Sequence, residues 1–153
     1  MPLIEPGAKA PAFTLKDQHG ETHRLSDYAG RSVILYFYPK DDTPGCTQES
    51  CEFQAALPKL KRRDAAVLGV SILDEASKAK FANKHGLTFP LLADPEHEVA
   101  EKYGVWQKKS RYGRSYMRIV RTTYLIGPDG KVLQRWDNVK VDGHVDEALA
   151  ALA

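Results

Sequence analysis

The apolar positions fall into short runs separated by clusters of Pro, Gly and Asp, and the period of the runs changes along the chain. Residues 1–12 hold Pro2, Pro6, Gly7 and Pro11 and read as an irregular lead-in. Residues 13–15, a turn at 17–20 and residues 21–24 then predict a short hairpin. Residues 26–30 read as a turn or a single helical turn. Residues 32–38 are a nearly unbroken β-branched and aromatic run, which predicts a central strand buried on both faces.

A helix is expected to open at Thr43 and Pro44, because Thr is a good N-cap and Pro suits the first helical position. It carries Cys46, Cys51, Phe53 and Leu57. Pro58 should kink or end it, with residues 60–63 able to add a further turn. Residues 65–73 predict a second buried strand, and 75–85 a helix closed by Gly86. A shorter strand is expected over 87–93, and a helix over 96–103 capped by Asp94-Pro95. Residues 122–126 and 132–137 alternate as strands joined by the turn Gly127-Pro128-Asp129-Gly130, and 144–152 close the chain as a helix. The order β-β-α-β-α-β-α-β-β-α predicts a three-layer α/β fold with a central mixed sheet, flanking helices and an N-terminal hairpin. Residues 1–153 are expected to form one domain.

Composition changes this picture little. At 42% hydrophobic and 27% charged residues, with a mean hydropathy of -0.44, the chain has the balance of a globular protein. No run approaches the roughly 18 apolar residues of a membrane span. The first residues lack the basic and apolar regions of a secretory signal, so the cytoplasm is the expected compartment. There, two cysteines five positions apart point to catalysis, redox sensing or metal binding before a permanent crosslink. A net charge of +2 does not by itself imply a nucleic-acid or membrane partner.

Both cysteines lie in the stretch from strand to helix. With Thr43 as N-cap, Cys46 is the third helical residue, faced by unpaired backbone N–H groups and the positive end of the helix dipole, which favour thiolate over thiol. Thr43 offers a hydroxyl to the sulfur or to a substrate oxygen. Pro39, which has no N–H, can cover the site against water. Cys51 poses a distance problem: on an ideal helix its Cα lies about 8.6 Å from that of Cys46, whereas a disulfide wants less than about 7 Å. A bond between them requires the first turns of the helix to unwind, and a reduced form should hold the two sulfurs apart. Glu49, one turn beyond Cys46, disfavours a thiolate unless an arginine, Arg121 or Arg118, neutralises it. The bland alternative makes both cysteines small buried hydrophobes and Glu49 a surface residue.

The spacing Pro39-x-x-x-Thr43-x-x-Cys46 resembles the active-site signature of peroxiredoxins, and a second cysteine five positions on resembles their bacterioferritin-comigratory-protein or Q-type subgroup. The likeness extends through residues 13–15, 33–38, Val105-Trp106, Tyr112-Gly113 and 121–126. It implies a thioredoxin-like fold, Cys46 as peroxidatic and Cys51 as resolving cysteine, Thr43 as the residue that hydrogen-bonds the peroxide, Pro39 as the shield, and Arg121 as the active-site arginine. It further implies reduction of hydrogen peroxide and organic hydroperoxides through a Cys46 sulfenic acid and a Cys46–Cys51 disulfide, recycled by thioredoxin or a similar thiol reductant. No metal, haem or flavin cofactor is implied, and the subgroup suggests a monomer. Gly127 departs from the acidic residue often found there in the family. A Cys-x-x-Cys disulfide oxidoreductase is disfavoured by the spacer, and a redox-switched binding or chaperone module would have no need of Arg121 and Thr43.

Residues 107–121 hold Lys108, Lys109, Arg111, Arg114, Arg118 and Arg121 with no acidic residue, interleaved with Tyr112 and Tyr116. Such a mix can bind nucleic acid; the reading favoured here is a solvated loop lending positive potential to the active site, with no nucleic-acid partner. The five histidines show no metal-ligand spacing. Trp106 and Trp136 read as packing residues.

Overall fold

The computed structural model describes residues 2–152. Its strands are β1 (Thr14–Lys16), β2 (Thr22–Arg24), β3 (Ser32–Phe37), β4 (Ala65–Ser71), β5 (Leu91–Ala93), β6 (Trp106–Arg111), β7 (Arg114–Ile119), β8 (Thr122–Ile126) and β9 (Val132–Trp136). The helices are α1 (Pro44–Arg62), α2 (Glu75–His85), α3 (Glu98–Lys102) and α4 (His144–Ala151), and a 3-10 turn spans Leu25–Tyr28. Seven strands form one sheet in the order β2-β1-β5-β4-β3-β8-β9, while β6 and β7 pair only with each other.

The sheet is mixed. β3 runs parallel to β4 and β4 to β5, whereas β8 runs antiparallel to β3. β3 is central because its residues from Val33 to Phe37 are all buried, as a strand covered on both faces demands. Alternate side chains serve separate cores. Ile34, Tyr36 and Tyr38 pack under α1, α2 and α4, with Phe53, Leu60, Phe81 and Ala148. Val33, Leu35 and Phe37 pack on the other face with α3 and the N-terminal segment, through Val99, Tyr103 and Phe13. The three layers follow from that alternation.

Several boundaries differ from the sequence expectations. α1 continues through Pro58 to Arg62. The proline removes one backbone donor, but Phe53, Ala56 and Leu60 are buried along one face and hold the helix against the sheet. Only residues 91–93 of the expected strand 87–93 join the ladder. α3 is shorter than expected and its N-cap is His97 rather than Asp94, although the Asp94 carboxylate still accepts from the first-turn N–H groups of Val99 and Ala100 at 3.3 and 2.8 Å.

The largest departure is residues 106–119, read from sequence as a solvated loop. They form a two-stranded ribbon closed by Tyr112-Gly113, both at positive φ (53° and 75°), as a two-residue hairpin turn requires. Its base is rooted in the second core by buried Ile119 and by Trp106, which stacks on His97 at 4.6 Å. No described helix is long and apolar enough to cross a membrane.

Candidate active site

The sheet register brings the site together. Phe37, the last residue of β3, lies opposite Thr122, the first of the antiparallel β8. The chain leaving β3 toward α1 and the residue entering β8, Arg121, therefore meet at the end of the sheet where β3 stops and β8 begins.

At that end of the strands Cys46 is the third residue of α1, is buried, and is a free thiol, as is half-buried Cys51 on the same unbroken helix. Arg121 Nη2 donates to Cys46 Sγ at 3.1 Å, and Arg121 Nη1 donates to Glu49 Oε1 at 2.7 Å. One guanidinium thus spans two residues a helical turn apart. Gly45 makes room for it: a Cβ there would lie 3.3 Å from Arg121 Nη2 and 3.9 Å from a methyl of Val141. The backbone of Arg121 is fixed in turn, its carbonyl accepting from Val139 N–H at 2.9 Å. Gln48 ties the same segment to α1 by donating to Asp142 at 2.7 Å.

Glu49 has no side-chain exposure, and its Oε2 finds no partner among the described residues. Burial pushes its carboxyl up to about 7, against the pull of Arg121. Burial works against the Arg121 cation as well, but Glu49 and Cys46 outweigh it and hold its charge more firmly than usual. The two directions agree if Glu49 gains and loses a proton near neutrality while Arg121 stays charged. Of the arginines weighed for Glu49, the partner is Arg121; Arg118 donates to its neighbouring backbone carbonyl, Ile119 O. A surface position for Glu49 is excluded.

Thr43 has the extended backbone of an N-cap, but its side chain caps nothing. Its hydroxyl donates instead to the Lys40 carbonyl at 2.9 Å, three residues back, closing a local turn. The first-turn N–H groups of α1 therefore keep no side-chain cap from it. Pro39 is half-buried at the end of β3. Cys51 packs against the first core.

Sequence reasoning missed what holds the loop between β3 and α1. Asp41 is buried and accepts from Tyr38 Oη (2.6 Å), Ser77 Oγ (2.7 Å) and Lys78 Nζ, which reaches both carboxylate oxygens at 3.1 Å. Lys78 is fully buried on α2 and also donates to Ser71 Oγ. The next residue, Asp42, takes Lys84 and His85 from the same helix, each at 2.9 Å. Two successive carboxylates thus clamp the loop to α2. Beneath α1, Tyr36 Oη and Ser50 Oγ share a 2.7 Å hydrogen bond, and Gly69 is required there because a Cβ would meet the Tyr36 ring at 2.8 Å. The only sequence signal for this support was the density of Asp, Ser and Lys, which reads equally well as solvated surface. The one metal-like grouping among the described residues, Asp17, Glu21 and His23, lies in the β1–β2 hairpin; there His23 and two backbone N–H groups already occupy Asp17.

The AhpC/TSA family model matches residues 6–135. The chain belongs to the AhpC/TSA family of peroxiredoxins. It is similar to the peroxiredoxin Bcp of Bacillus subtilis, 48% identical over 149 residues that cover 97% of this chain and 95% of the relative. The Bcp of Escherichia coli K12 is 41% identical over 146 residues, covering 95% and 94%. Among solved structures, the Xanthomonas campestris bacterioferritin comigratory protein, studied for its alkyl peroxide reduction activity, matches with a TM-score of 0.90 at 39% identity, over 98% of this chain and 95% of that one. A mutant of Xylella fastidiosa PrxQ matches with a TM-score of 0.92 at 36% identity, over 97% and 95%. The fold of this peroxiredoxin is accordingly thioredoxin-like, and as a member of the family it is a peroxidase, an oxidoreductase.

Proposed function

We propose that this peroxiredoxin reduces hydrogen peroxide and organic hydroperoxides with two cysteines of one subunit, Cys46 as the attacking and Cys51 as the resolving thiol, and that a thioredoxin-type dithiol restores it. The observation that carries the reading is the 3.1 Å contact from Arg121 to Cys46 Sγ at the start of α1. A cysteine that is merely a small buried hydrophobe has no use for a guanidinium on its sulfur. The alkyl peroxide activity of the Xanthomonas relative supports organic hydroperoxides among the substrates.

The Cys46 thiolate attacks the distal peroxide oxygen, the O–O bond breaks, and the departing alkoxide or hydroxide takes a proton to leave as alcohol or water; the sulfur is oxidised to sulfenic acid. Arg121 holds the thiolate and the charge that grows on the peroxide oxygens, in a site from which water is largely excluded. Thr43 hydrogen-bonds the peroxide by turning its hydroxyl from the Lys40 carbonyl, and Pro39 covers the reacting atoms. Cys51 then attacks the sulfenic sulfur, water leaves, and a disulfide forms. That step requires residues 43–51 to unwind, because an intact helix keeps the two Cα atoms about 8.6 Å apart. Two exchange steps with a dithiol reduce the disulfide and oxidise the donor. The cycle balances without a metal, haem or flavin. We further propose that the whole chain acts as a single domain, as a monomer, in the cytoplasm.

A coupled assay with thioredoxin, its reductase and NADPH tests the reading. Wild type is expected to consume NADPH only when peroxide is present, and Cys46→Ser to consume none. Equal traces for the two proteins would sink the peroxidase assignment to Cys46. Cys51→Ser should react with about one equivalent of peroxide and stall as a sulfenic acid; sustained thioredoxin-dependent turnover by that variant would move resolution to the donor.

A further inference from the structure

The β6–β7 ribbon is sorted by its register. Cross-strand partners share a face, so Gln107 with Arg118, Lys109 with Tyr116, and Arg111 with Arg114 lie on one side. That side carries four of the five cations of residues 106–119, a segment with no acidic residue in a chain of net charge only +2, so the remainder of the chain is net acidic. None of these cations forms an ion pair among the described residues. Arg111 and Arg114 are directly opposite each other at the tip, an arrangement that destabilises a strand pair. An isolated two-stranded ribbon is marginal in water to begin with.

The cationic face leads to the reaction centre. At its root Lys109 and Arg118 line a cavity of about 250 Å³ together with Val120, Asn138, Val139 and Arg121, and Arg121 touches the Cys46 sulfur. At its tip Tyr112 is 90% exposed, with the Arg111 guanidinium 5.3 Å from its ring. Six residues per strand give the face a length of about 20 Å, far more than a small peroxide can engage and comparable to one side of a protein contact.

We propose that this face is the docking surface for the protein that reduces the Cys46–Cys51 disulfide, and that it selects a dithiol protein whose surface around its attacking cysteine is acidic. The proposal rests on the disulfide cycle given above. The self-repulsion built into the ribbon is relieved when an acidic partner lies along it, and the cavity that Lys109 and Arg118 share with Arg121 brings that partner's thiol toward Cys46. Opposite charges steer the encounter and raise the rate of association.

The test separates the two half-reactions. Reduced protein is oxidised with cumene hydroperoxide in a stopped-flow apparatus; oxidised protein is then reduced, in separate runs, by bacterial thioredoxin, by glutaredoxin and by uncharged dithiothreitol. Arg111→Glu/Arg114→Glu is expected to slow reduction by the acidic protein donor by about tenfold or more at about 10 mM ionic strength, and to converge with wild type near 1 M, where the Debye length falls from about 30 Å to about 3 Å. Its oxidation by peroxide and its reduction by dithiothreitol should match wild type. Lys108→Glu, on the other face of the ribbon, should reduce normally with every donor. Unchanged reduction of the double variant by the protein donors overturns the proposal, as does an equal loss with dithiothreitol. So does a wild type that dithiothreitol recycles and neither protein donor does. A variant defect seen only in oxidation by a carboxylate-bearing hydroperoxide would reassign the face to an anionic substrate, and binding of a duplex oligonucleotide lost in the variant would reassign it to nucleic acid. If wild type is not oxidised by peroxide at all, it is the disulfide cycle itself that fails.

Discussion

Arg121–Glu49 and Lys78–Asp41 are both buried ion pairs that bear on the short chain between β3 and α1, and they are completed to different degrees. Lys78 places its donors on both oxygens of Asp41 and on Ser71, and Asp41 also receives Tyr38 and Ser77. Nothing in that cluster is left over to meet a substrate. In the other pair the guanidinium is divided between a carboxylate and a sulfur, and Glu49 Oε2 has no partner among the described residues. A buried polar cluster that is fully satisfied fixes geometry, whereas one left incomplete keeps hydrogen-bonding capacity for a reacting group. The difference predicts that substitutions in the first pair are felt in stability and those in the second in rate.

The largest effect should come from breaking the complete pair. Lys78→Met leaves Asp41 buried without its cation and is expected to lower unfolding free energy by about 3–5 kcal/mol, measured by urea denaturation. Oxidation of the molecules that remain folded should stay within a few-fold of wild type, and adding Asp41→Leu should restore much of the stability, since an apolar pair of similar volume can replace a buried ion pair. A variant that stays stable but loses its peroxide reaction would break the contrast from this side.

Arg121→Met reverses the pattern. Removing a charged donor from the Cys46 sulfur should slow peroxide oxidation by about 10²–10³-fold, read by stopped flow, while Glu49, already disposed to accept a proton, limits the stability loss to under about 2 kcal/mol at pH 6. A thermal collapse at unchanged rate per folded molecule would make Arg121 a structural residue.

The two pairs were unequally legible in the sequence. Cys46 at the third position of α1, with Glu49 one turn beyond it, follows from the Thr43-Pro44 helix start, and Arg121 followed from the resemblance. Local rules reach that far. Lys78 meets Asp41 across 37 positions of sequence, and although helical spacing puts it on the face of Phe81 and Ala82, nothing local names its distant partner. The ribbon escaped for the opposite reason: residues 106–119 show no apolar alternation because both faces of the ribbon are open to water beyond its base, so the pattern that marks a half-buried strand never arises. The central place of β3 was accessible because burial on both faces writes a continuous apolar run, whereas the order of strands across the sheet depends on pairings that no local pattern writes.

Glu49→Gln sharpens the comparison through pH. Burial pushes the Glu49 carboxyl up to about 7 in the folded chain, above the ordinary carboxylate value of 4.5. Between those values the folded protein holds a proton that the unfolded chain has released, so wild-type stability falls as pH rises through this window. The contribution is on the order of 3 kcal/mol. The glutamine variant should lose that slope, so that its stability relative to wild type improves from pH 4.5 to pH 8 in denaturant titrations. Parallel curves would mean that Glu49 is already ionised at low pH and that Arg121 satisfies it as fully as Lys78 satisfies Asp41.

The smallest effect tests whether the position of Arg121 is as demanding as its charge. Gly45 is the second residue of α1, where alanine is the better helix former by up to about 1 kcal/mol. Its φ is not positive, so the backbone accepts a side chain there. The added Cβ would stand 3.3 Å from Arg121 Nη2, so the guanidinium must give by a few tenths of an ångström. It is held at Nη1 by Glu49, and the movement therefore falls on the Nη2 contact with Cys46. Gly45→Ala should melt no lower than wild type and oxidise a few-fold more slowly, the opposite signs that separate a contact kept for reaction from one kept for folding. An unchanged oxidation rate would show that the guanidinium can shift freely and that its charge alone is what Cys46 requires.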